Sequence, residues 1–564
     1  MKKNNIKIAL LGILALGGFA SCSESWMDVS SKTESNSGNF YKTQEDALRA
    51  LYACYDGWQR TVSDGPSFSV YQLTETMSDE CFGGTGNTDA RNTQILDRFD
   101  MNQSPSYTDM HNQLWKSYYA AIFRCNQLID HSGDITWTDE DTKNTYIGEA
   151  HALRAICYLD MVRLWENIPL LEHSTSDNVP QAEPDSVYSL IFSDLNYAIS
   201  HIPANAYPKK DAATNDGHVT KYGAEAMLAR AYLFYSGYYG KEPDQLGCTK
   251  AKALEACEDI IASGEFELIP LFKNLWPASS DDLTGDHVGL WAHENSTWAG
   301  AGNKEAILSM KFNYTGDYNG NNDGNKFQVM VGMRTGSLVY EGYGQGWGAC
   351  TVNPSFVSSY SFGDQRQDAS VIDASKLDGY EDNYIADQRE YTGYFTRKYT
   401  TLSKHAAAGD GTLQHYTEEV GAGDFQVSQF QDWVIVRYAD VLLMAAELGS
   451  TNAQNYFNQV RQRAYTDKDG LSTSYSEVSA TKENILNERK LEFAFEGIRY
   501  WDELRQGIDH AANEIAGTWS VKDGGEKSTI TIAADKIKAT RGFIQIPLTQ
   551  ITLSNYVLKQ NAGW

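Results

Sequence analysis

Two short stretches of this sequence combine flat aromatic side chains with hydrogen-bonding polar ones. Recognition of a polyhydroxylated ring needs that pairing: aromatic faces take C–H stacking, while amides and charged groups at the rim take hydroxyls. One stretch is the glycine-rich run Ser78-Asp79-Glu80-Cys81-Phe82-Gly83-Gly84-Thr85-Gly86-Asn87-Thr88-Asp89-Ala90-Arg91-Asn92. The other is Tyr340-Glu341-Gly342-Tyr343-Gly344-Gln345-Gly346-Trp347-Gly348, where Tyr343 and Trp347 are the aromatic candidates. Trp347 stands between two glycines, which favours an exposed ring over a packed anchor. Trp291 and Trp298, in the loop from 287 to 303, offer either a second platform or a hydrophobic plug. Asp317, Asn319, Asn321 and Asp323 alternate as in a calcium loop. Asn322 stands where an EF-hand needs glycine, and Gln328 where it needs the closing glutamate, so that motif is rejected, which leaves an Asn-rich turn with a looser structural calcium as its alternative. No metal or cofactor is expected.

The motifs of hydrolytic and phosphoryl chemistry do not occur. There is no GxSxG elbow, no HExxH helix and no GxxxxGK[ST] loop, and His293-Glu294 lacks its second histidine. Carboxylates abound, but a glycosidase pair is recognised only in space. Arg489, Glu492, Glu496, Arg499 and Glu503 recur at steps of three or four, so on one helix they form a stripe. Their alternating signs read as an ion-pair ladder against a neighbouring helix rather than as an acid–base pair. Gly497 within that helix costs about 1 kcal/mol relative to alanine and reads as a close helix crossing. The expectation is a binding protein, not an enzyme.

Composition narrows the partners. The formal charge of −27 over 564 residues repels phosphate backbones and argues against nucleic acid. Cys54, Cys81, Cys125, Cys157, Cys248, Cys257 and Cys350 are widely spaced, without a CxxC, and read as small buried hydrophobes. At the front, Lys2, Lys3 and Lys7 precede an uncharged apolar run from Ile8 to Ala20, the pattern of a secretory signal peptide. Phe19-Ala20-Ser21-Cys22 resembles the bacterial lipobox, which makes Cys22 the lipidated first residue of the mature chain. Acyl chains on that cysteine gain about 0.8 kcal/mol per buried methylene. No other segment approaches the roughly 20 apolar residues of a membrane span.

The elements follow from periodicity. Residues 1–21 are read as signal peptide and 22–42 as lipidated N-terminus and polar tether. Residues 43–264 are a helical-repeat part, with helices over 44–61, 107–131, 139–165, 186–202, 221–239 and 250–262. Residues 265–430 hold twenty of the forty-six glycines and read as an irregular, loop-rich lobe with short strands, where binding residues concentrate. Residues 431–564 return to helix over 432–448, 452–465 and 481–506 and complete the same domain. Ala150, Leu153, Cys157, Met161 and Leu164 mark one apolar face of the 139–165 helix; Ala152, Ile156, Leu159 and Val162 mark a second. Two apolar faces require neighbours on both sides, as in stacked helical hairpins.

Several collinear motifs resemble the SusD/RagB family. Gly148-Glu149-Ala150, Leu153-Arg154-Ala155 and Val162-Arg163-Leu164-Trp165, closing on Ile168-Pro169-Leu170, match its GEA-x-x-LRA segment and the PL that follows. Arg437-Tyr438-Ala439-Asp440 through Ala446-Glu447 resembles its RYAE-x-LL-x-x-AE helix, with Asp440 in place of glutamate, and Val460-Arg461 with Arg463-Ala464 resembles VRxRA. Glu488-Arg489, Glu492-Phe493-Ala494, Glu496-Gly497, Arg499 and Asp502-Glu503-Leu504-Arg505 are similar to ERxxELAFEGxRxxDLxR. The chain closes on Ile546-Pro547 and Gln560-Asn561-Ala562-Gly563-Trp564, with Ala562 where the family has proline. The resemblance implies a mainly α fold of tetratricopeptide-like helical hairpins carrying an irregular ligand-binding lobe. It implies a surface-exposed lipoprotein of the cell outer membrane that captures a glycan, or in the RagB branch a peptide. It also implies a partner, a SusC-like TonB-dependent transporter. By the same match the loop after Ser78-Asp79-Glu80 carries ligand contacts, which makes Phe82, Asn87, Asp89 and Arg91 candidates. Trp347 falls at the place of a stacking tryptophan.

Overall fold

The computed structural model describes residues 40–63, 69–100, 107–211, 217–280, 297–300, 303–313, 324–335, 342–405, 413–415, 425–426 and 429–564. Cys22, Trp291, Tyr340 and the Asp317–Asp323 series lie outside them. Helices dominate: α1 (Gln44–Ser63), α2 (Val70–Thr76), α3 (Asn92–Asp97), α4 (Asn112–Asp130), α5 (Glu140–Trp165), α6 (Pro184–His201), α7 (Lys221–Tyr239) and α8 (Lys250–Ser263) come first. They begin where the side chains dictate. Asp139, Thr220 and Thr249 each accept a hydrogen bond from the N–H three residues on, and Pro184 opens α6 at a position where its missing N–H costs nothing. The two-faced reading of α5 holds, since every side chain from Ala152 to Trp165 is buried. α1 packs on α4, α4 on α5, α5 on α6, α6 on α7 and α7 on α8, so the chain builds itself by successive antiparallel hairpins.

The later elements are α9 (Lys326–Val331), α10 (Tyr438–Leu448), α11 (Ala453–Ala464), α12 (Lys482–Glu492) and α13 (Arg499–Leu504). Strands are short: β1 (Cys81–Gly84), β2 (Ala306–Met310), β3 (Ala349–Val352), β4 (Trp433–Arg437), β5 (Gly517–Asp523) and β6 (Glu526–Ile532). β1 pairs antiparallel with β3, β2 with β4, and β5 with β6. Two of those pairs stitch the loop-rich region into the helical parts on either side. The large core runs through both, and a second small one (Met333, Ile372, Tyr380, Tyr384, Tyr391, Phe395) sits inside the lobe.

Two sequence expectations are corrected here. The helix expected over 432–448 begins only at Tyr438. Trp433-Val434-Ile435-Val436 is a β-branched and aromatic run, and it pairs with β2 instead. The helix expected over 481–506 is broken between Glu492 and Arg499, where Phe495 (φ 62°) and Gly497 (φ 72°) turn left-handed. Gly497 is therefore a turn residue; a Cβ there would lie 2.6 Å from the Tyr71 ring. The break has a cause in buried acceptors. Glu75 takes the Gly497 N–H at 2.5 Å and Glu80 takes the Phe495 N–H at 3.1 Å, so local helical bonding loses to tertiary bonding.

The Glu75 and Glu80 carboxyl groups are also hydrogen-bonded to each other. Burial pushes Glu75 up to about 8, and burial with Glu75 alongside lifts Glu80 well above the usual carboxylate range. Asp79, Cys350 and Lys398 are the other titratable groups near the pair. Raised folded-state values mean stability that is complete below about pH 4.5 and lost as pH climbs towards about 8. Glu75→Gln keeps the Gly497 acceptor and removes one titration. Urea denaturation at about pH 5 and pH 8 should show a smaller loss of stability across that window in the variant than in the wild type. Equal losses would mean that the pair does not titrate there.

Candidate functional site

The pairing of β1 with β3 joins the two stretches that the sequence singles out. Phe82 faces Thr351 and Gly84 faces Ala349, and the next N–H, of Thr85, donates to the Gly348 carbonyl at 2.8 Å. A Cβ on Gly84 (φ 66°) would lie 2.2 Å from that carbonyl oxygen, so only glycine lets the strands close. From this base the chain from Asn87 to Arg91 emerges exposed.

Two arginines hold that loop. Arg389 donates to the carbonyls of Asn87 (2.7 Å) and Ala90 (3.2 Å), and its own N–H donates to the Thr85 carbonyl (2.9 Å). Arg334, 19% exposed in its side chain, donates to Asp387 (2.9 Å), to Asp89 (3.3 Å) and to the Trp347 carbonyl (3.3 Å). One guanidinium thus ties the exposed loop, the Trp347 stretch and the segment around Asp387 into one surface. The planar fork of arginine suits this task, which a lysine point charge cannot reproduce. The β5–β6 turn closes a further side, where the Gly524 N–H donates to the Gln388 carbonyl and Asp523 accepts the Glu390 N–H.

The sequence candidates separate accordingly. Asn87, Asp89 and Arg91 stand exposed on the assembled surface. Phe82 does not: it is 1% exposed and packs against Trp519 of β5 with ring centroids 5.1 Å apart. Its strand turns it into the core, so its expected ligand-stacking role is corrected to a structural one. Trp347 is half-buried against the core, with the Lys326 ammonium 5.3 Å from its ring centre. Tyr343 is half-buried against the small lobe core, with Arg397 5.9 Å from its ring centre. Trp298 is half-buried and donates its indole N–H to the Leu275 carbonyl at 3.3 Å. Sequence reasoning missed Arg334, Asp387 and Arg389, isolated charges in irregular backbone. It also missed the β5–β6 hairpin, for which the Asp523-Gly524-Gly525 turn between alternating stretches is the signal.

Chemically this surface offers an amide, two carboxylates, guanidiniums and an indole, with the Asp89 and Asp387 carboxylates fixed by Arg334. That is equipment for binding hydroxyl-rich molecules. The carboxylate trio Asp79, Glu503 and Glu514 has oxygens close enough to share a metal ion. Lys490 and Arg499 already pair with Asp79, and Arg499 and His510 with Glu503, which leaves a cation little to neutralise.

Comparison with known proteins agrees over nearly the whole chain. Residues 26–233 match a family model described as starch-binding associating with outer membrane, and residues 304–564 match the SusD family model. A SusD-like protein P38 of Formosa agariphila is 25% identical over 533 residues, covering 90% of this chain and 92% of the relative. A SusD-like protein of Bacteroides ovatus is 23% identical over 520 residues, covering 89% and 82% respectively. Among solved structures, surface glycan-binding protein A from Bacteroides fluxus superposes with a TM-score of 0.71 at 23% identity, covering 93% of this chain and 100% of that one. The counterpart from Bacteroides thetaiotaomicron in complex with laminarihexaose gives 0.67 at 22% identity, with coverages of 93% and 100%.

Proposed function

This chain belongs to the SusD family, and from that premise we propose that it captures a glycan at the cell surface and delivers it to a SusC-like TonB-dependent transporter. The observation that supports the reading is the Arg334 guanidinium, which reaches both the carboxylate of exposed Asp89 and the backbone carbonyl of half-buried Trp347. Relatives named for starch, laminarin and surface glycans make carbohydrate the ligand class to test first. Binding, not turnover, is the expected activity. Asp89 and Asp387 share the Arg334 guanidinium, which presents them as fixed acceptors for hydroxyls.

The lipobox-like Phe19–Cys22 supplies the anchor in this account. Cys22→Ala should move the protein from the outer-membrane fraction to the soluble fraction with its melting temperature unchanged, as fractionation and a thermal melt will report. A variant that stays with the membrane would remove the lipid anchor from the account. For the partner, mild detergent extraction at native expression should recover the protein together with a large outer-membrane barrel. Recovery as a free monomer alone would oppose delivery to a transporter. For the ligand, isothermal calorimetry of the mature protein against oligosaccharides and peptides tests the class directly.

A further inference from the structure

A second concave surface, sharing no residue with the loop just described, lies on α1. Tyr52, Tyr55, Asp56 and Gln59 recur at three- and four-residue steps and therefore share one face of that helix. Gly217-His218 and Met310-Lys311 close the opposite wall, and Trp58 contributes to the floor. The open cleft between them offers about 300 Å³, the lower end of the range for small-molecule sites.

The wall is fixed from behind. Glu149, fully buried, accepts hydrogen bonds from the Tyr55 hydroxyl and from the Tyr207 hydroxyl (2.9 Å), and lies 2.8 Å from His218 Nδ1. Tyr207 stacks face to face on His218 at 3.9 Å, and Tyr55 meets the same imidazole edge-on at 5.8 Å. The Tyr55 oxygen also accepts the Val219 N–H at 2.6 Å. Three aromatic rings are thus locked around one carboxylate, and so is the backbone beside them. Tyr52, by contrast, keeps 54% of its surface exposed at the mouth. The rim carries one carboxylate, Asp56, held by Arg60 and Arg124, and one ammonium, Lys311, held by Asp432. Within the lining, the indole N–H of Trp58 is the one buried side-chain donor that finds no acceptor among the described residues. A preset aromatic wall, an open aromatic lip and a charge-balanced rim suit a neutral hydroxyl-bearing ring better than an ion or a lipid tail.

We propose that this pocket is a second carbohydrate subsite that takes one sugar ring, with Tyr52 stacking on it and the Asp56, Gln59 and Lys311 rim meeting its hydroxyls. The inference rests on the glycan reading above and extends it: two separated subsites on one molecule would hold a long chain at two points, so that modest affinities reinforce each other.

Methionine methyl groups report on both places. Met310 lines this pocket, while Met330 and Met333 flank the Trp347 and Arg334 stretch. Mature protein labelled with ¹³C at its methionine methyls is titrated with laminarihexaose, maltohexaose, cellohexaose and mannohexaose in turn, and methyl shifts are recorded. For at least one of these sugars, Met310 should shift saturably along with Met330 or Met333. Tyr52→Ala should weaken the Met310 response at least tenfold, leave the other response in place and leave the melting temperature unchanged. Trp347→Ala should weaken the Met330 or Met333 response and leave the Met310 response in place. If Met330 or Met333 responds while Met310 stays silent, or if Tyr52→Ala leaves the Met310 response intact, the second subsite is overturned and the glycan reading survives. If no methyl responds to any of the four sugars, both are overturned.

Discussion

Glu492→Ala is expected to destabilise the fold by about 3–5 kcal/mol, the scale of breaking a buried ion pair by removing one partner. Its carboxylate is 0% exposed and lies within hydrogen-bonding distance of three guanidiniums: Arg463, Arg437 (2.9 Å) and Arg366 (3.2 Å). Around them stand Glu305, Glu488, Glu496, Asp364 and Lys398, all shielded from solvent, so deleting one charge leaves its partners buried and uncompensated. Burial alone would push the Glu492 carboxyl up. The three guanidiniums outweigh burial and hold it down at about 2. A lowered folded-state value means stability that is present above about pH 4.5 and lost as pH falls towards 2. Two measurements follow. Urea denaturation at neutral pH should give the full loss for the variant, and the wild type's own stability should decline below about pH 4.5 more steeply than the variant's. A variant within 1 kcal/mol of the wild type would show that the cluster is neutral to stability rather than a clasp between α12 and the lobe.

Trp347→Ala carries the second large effect, a loss of glycan affinity of roughly 1–3 kcal/mol, as for removing a large apolar side chain from contact. The structure refines what else should happen. Because the ring is half-buried against the core and lies beneath Lys326, the variant should also lose about 1 kcal/mol of stability. The diagnostic is the ratio. Affinity falling further than stability, measured by calorimetry and denaturation on the same preparation, marks a ligand platform. A large fall in stability with unchanged affinity marks a structural plug, and binding would then have to centre on Asn87, Asp89 and Arg91 without it.

Much of this architecture was legible because helix periodicity and capping are local. The reading of 221–239 coincides with α7, and α5 starts one residue after its Asp139 cap. Where local signals met stronger tertiary ones, the reading failed. Nothing within 481–506 announces that Glu75 and Glu80, four hundred residues earlier in the sequence, take the Gly497 and Phe495 N–H groups and break the helix. The ion-pair character of Arg489, Glu492, Glu496 and Arg499 was nonetheless legible, because charges at three- and four-residue steps with few other uses need partners. Arg489 and Arg499 do pair with Asp502 and Glu503 of the same segment, but further partners, Arg437, Arg463, Asp440 and Asp79, come from elsewhere in the chain. The site divides the same way. Polar loop residues such as Asn87 and Asp89 could be picked by type, whereas Phe82 could not be told from an exposed aromatic until the register of β1 turned it inward. Arg334 carries no local signal at all; its role exists only once Asp89, Asp387 and Trp347 are brought to it.

The central claim is that the surface clamped by Arg334 binds a glycan without cleaving it. Isothermal calorimetry of the mature protein against a panel of oligosaccharides and peptides, followed by chromatography of the recovered ligand, tests this directly. The account predicts saturable binding to at least one oligosaccharide, weakened by Trp347→Ala, with the sugar recovered intact. Binding confined to peptides, or recovery of shortened sugar, would contradict it.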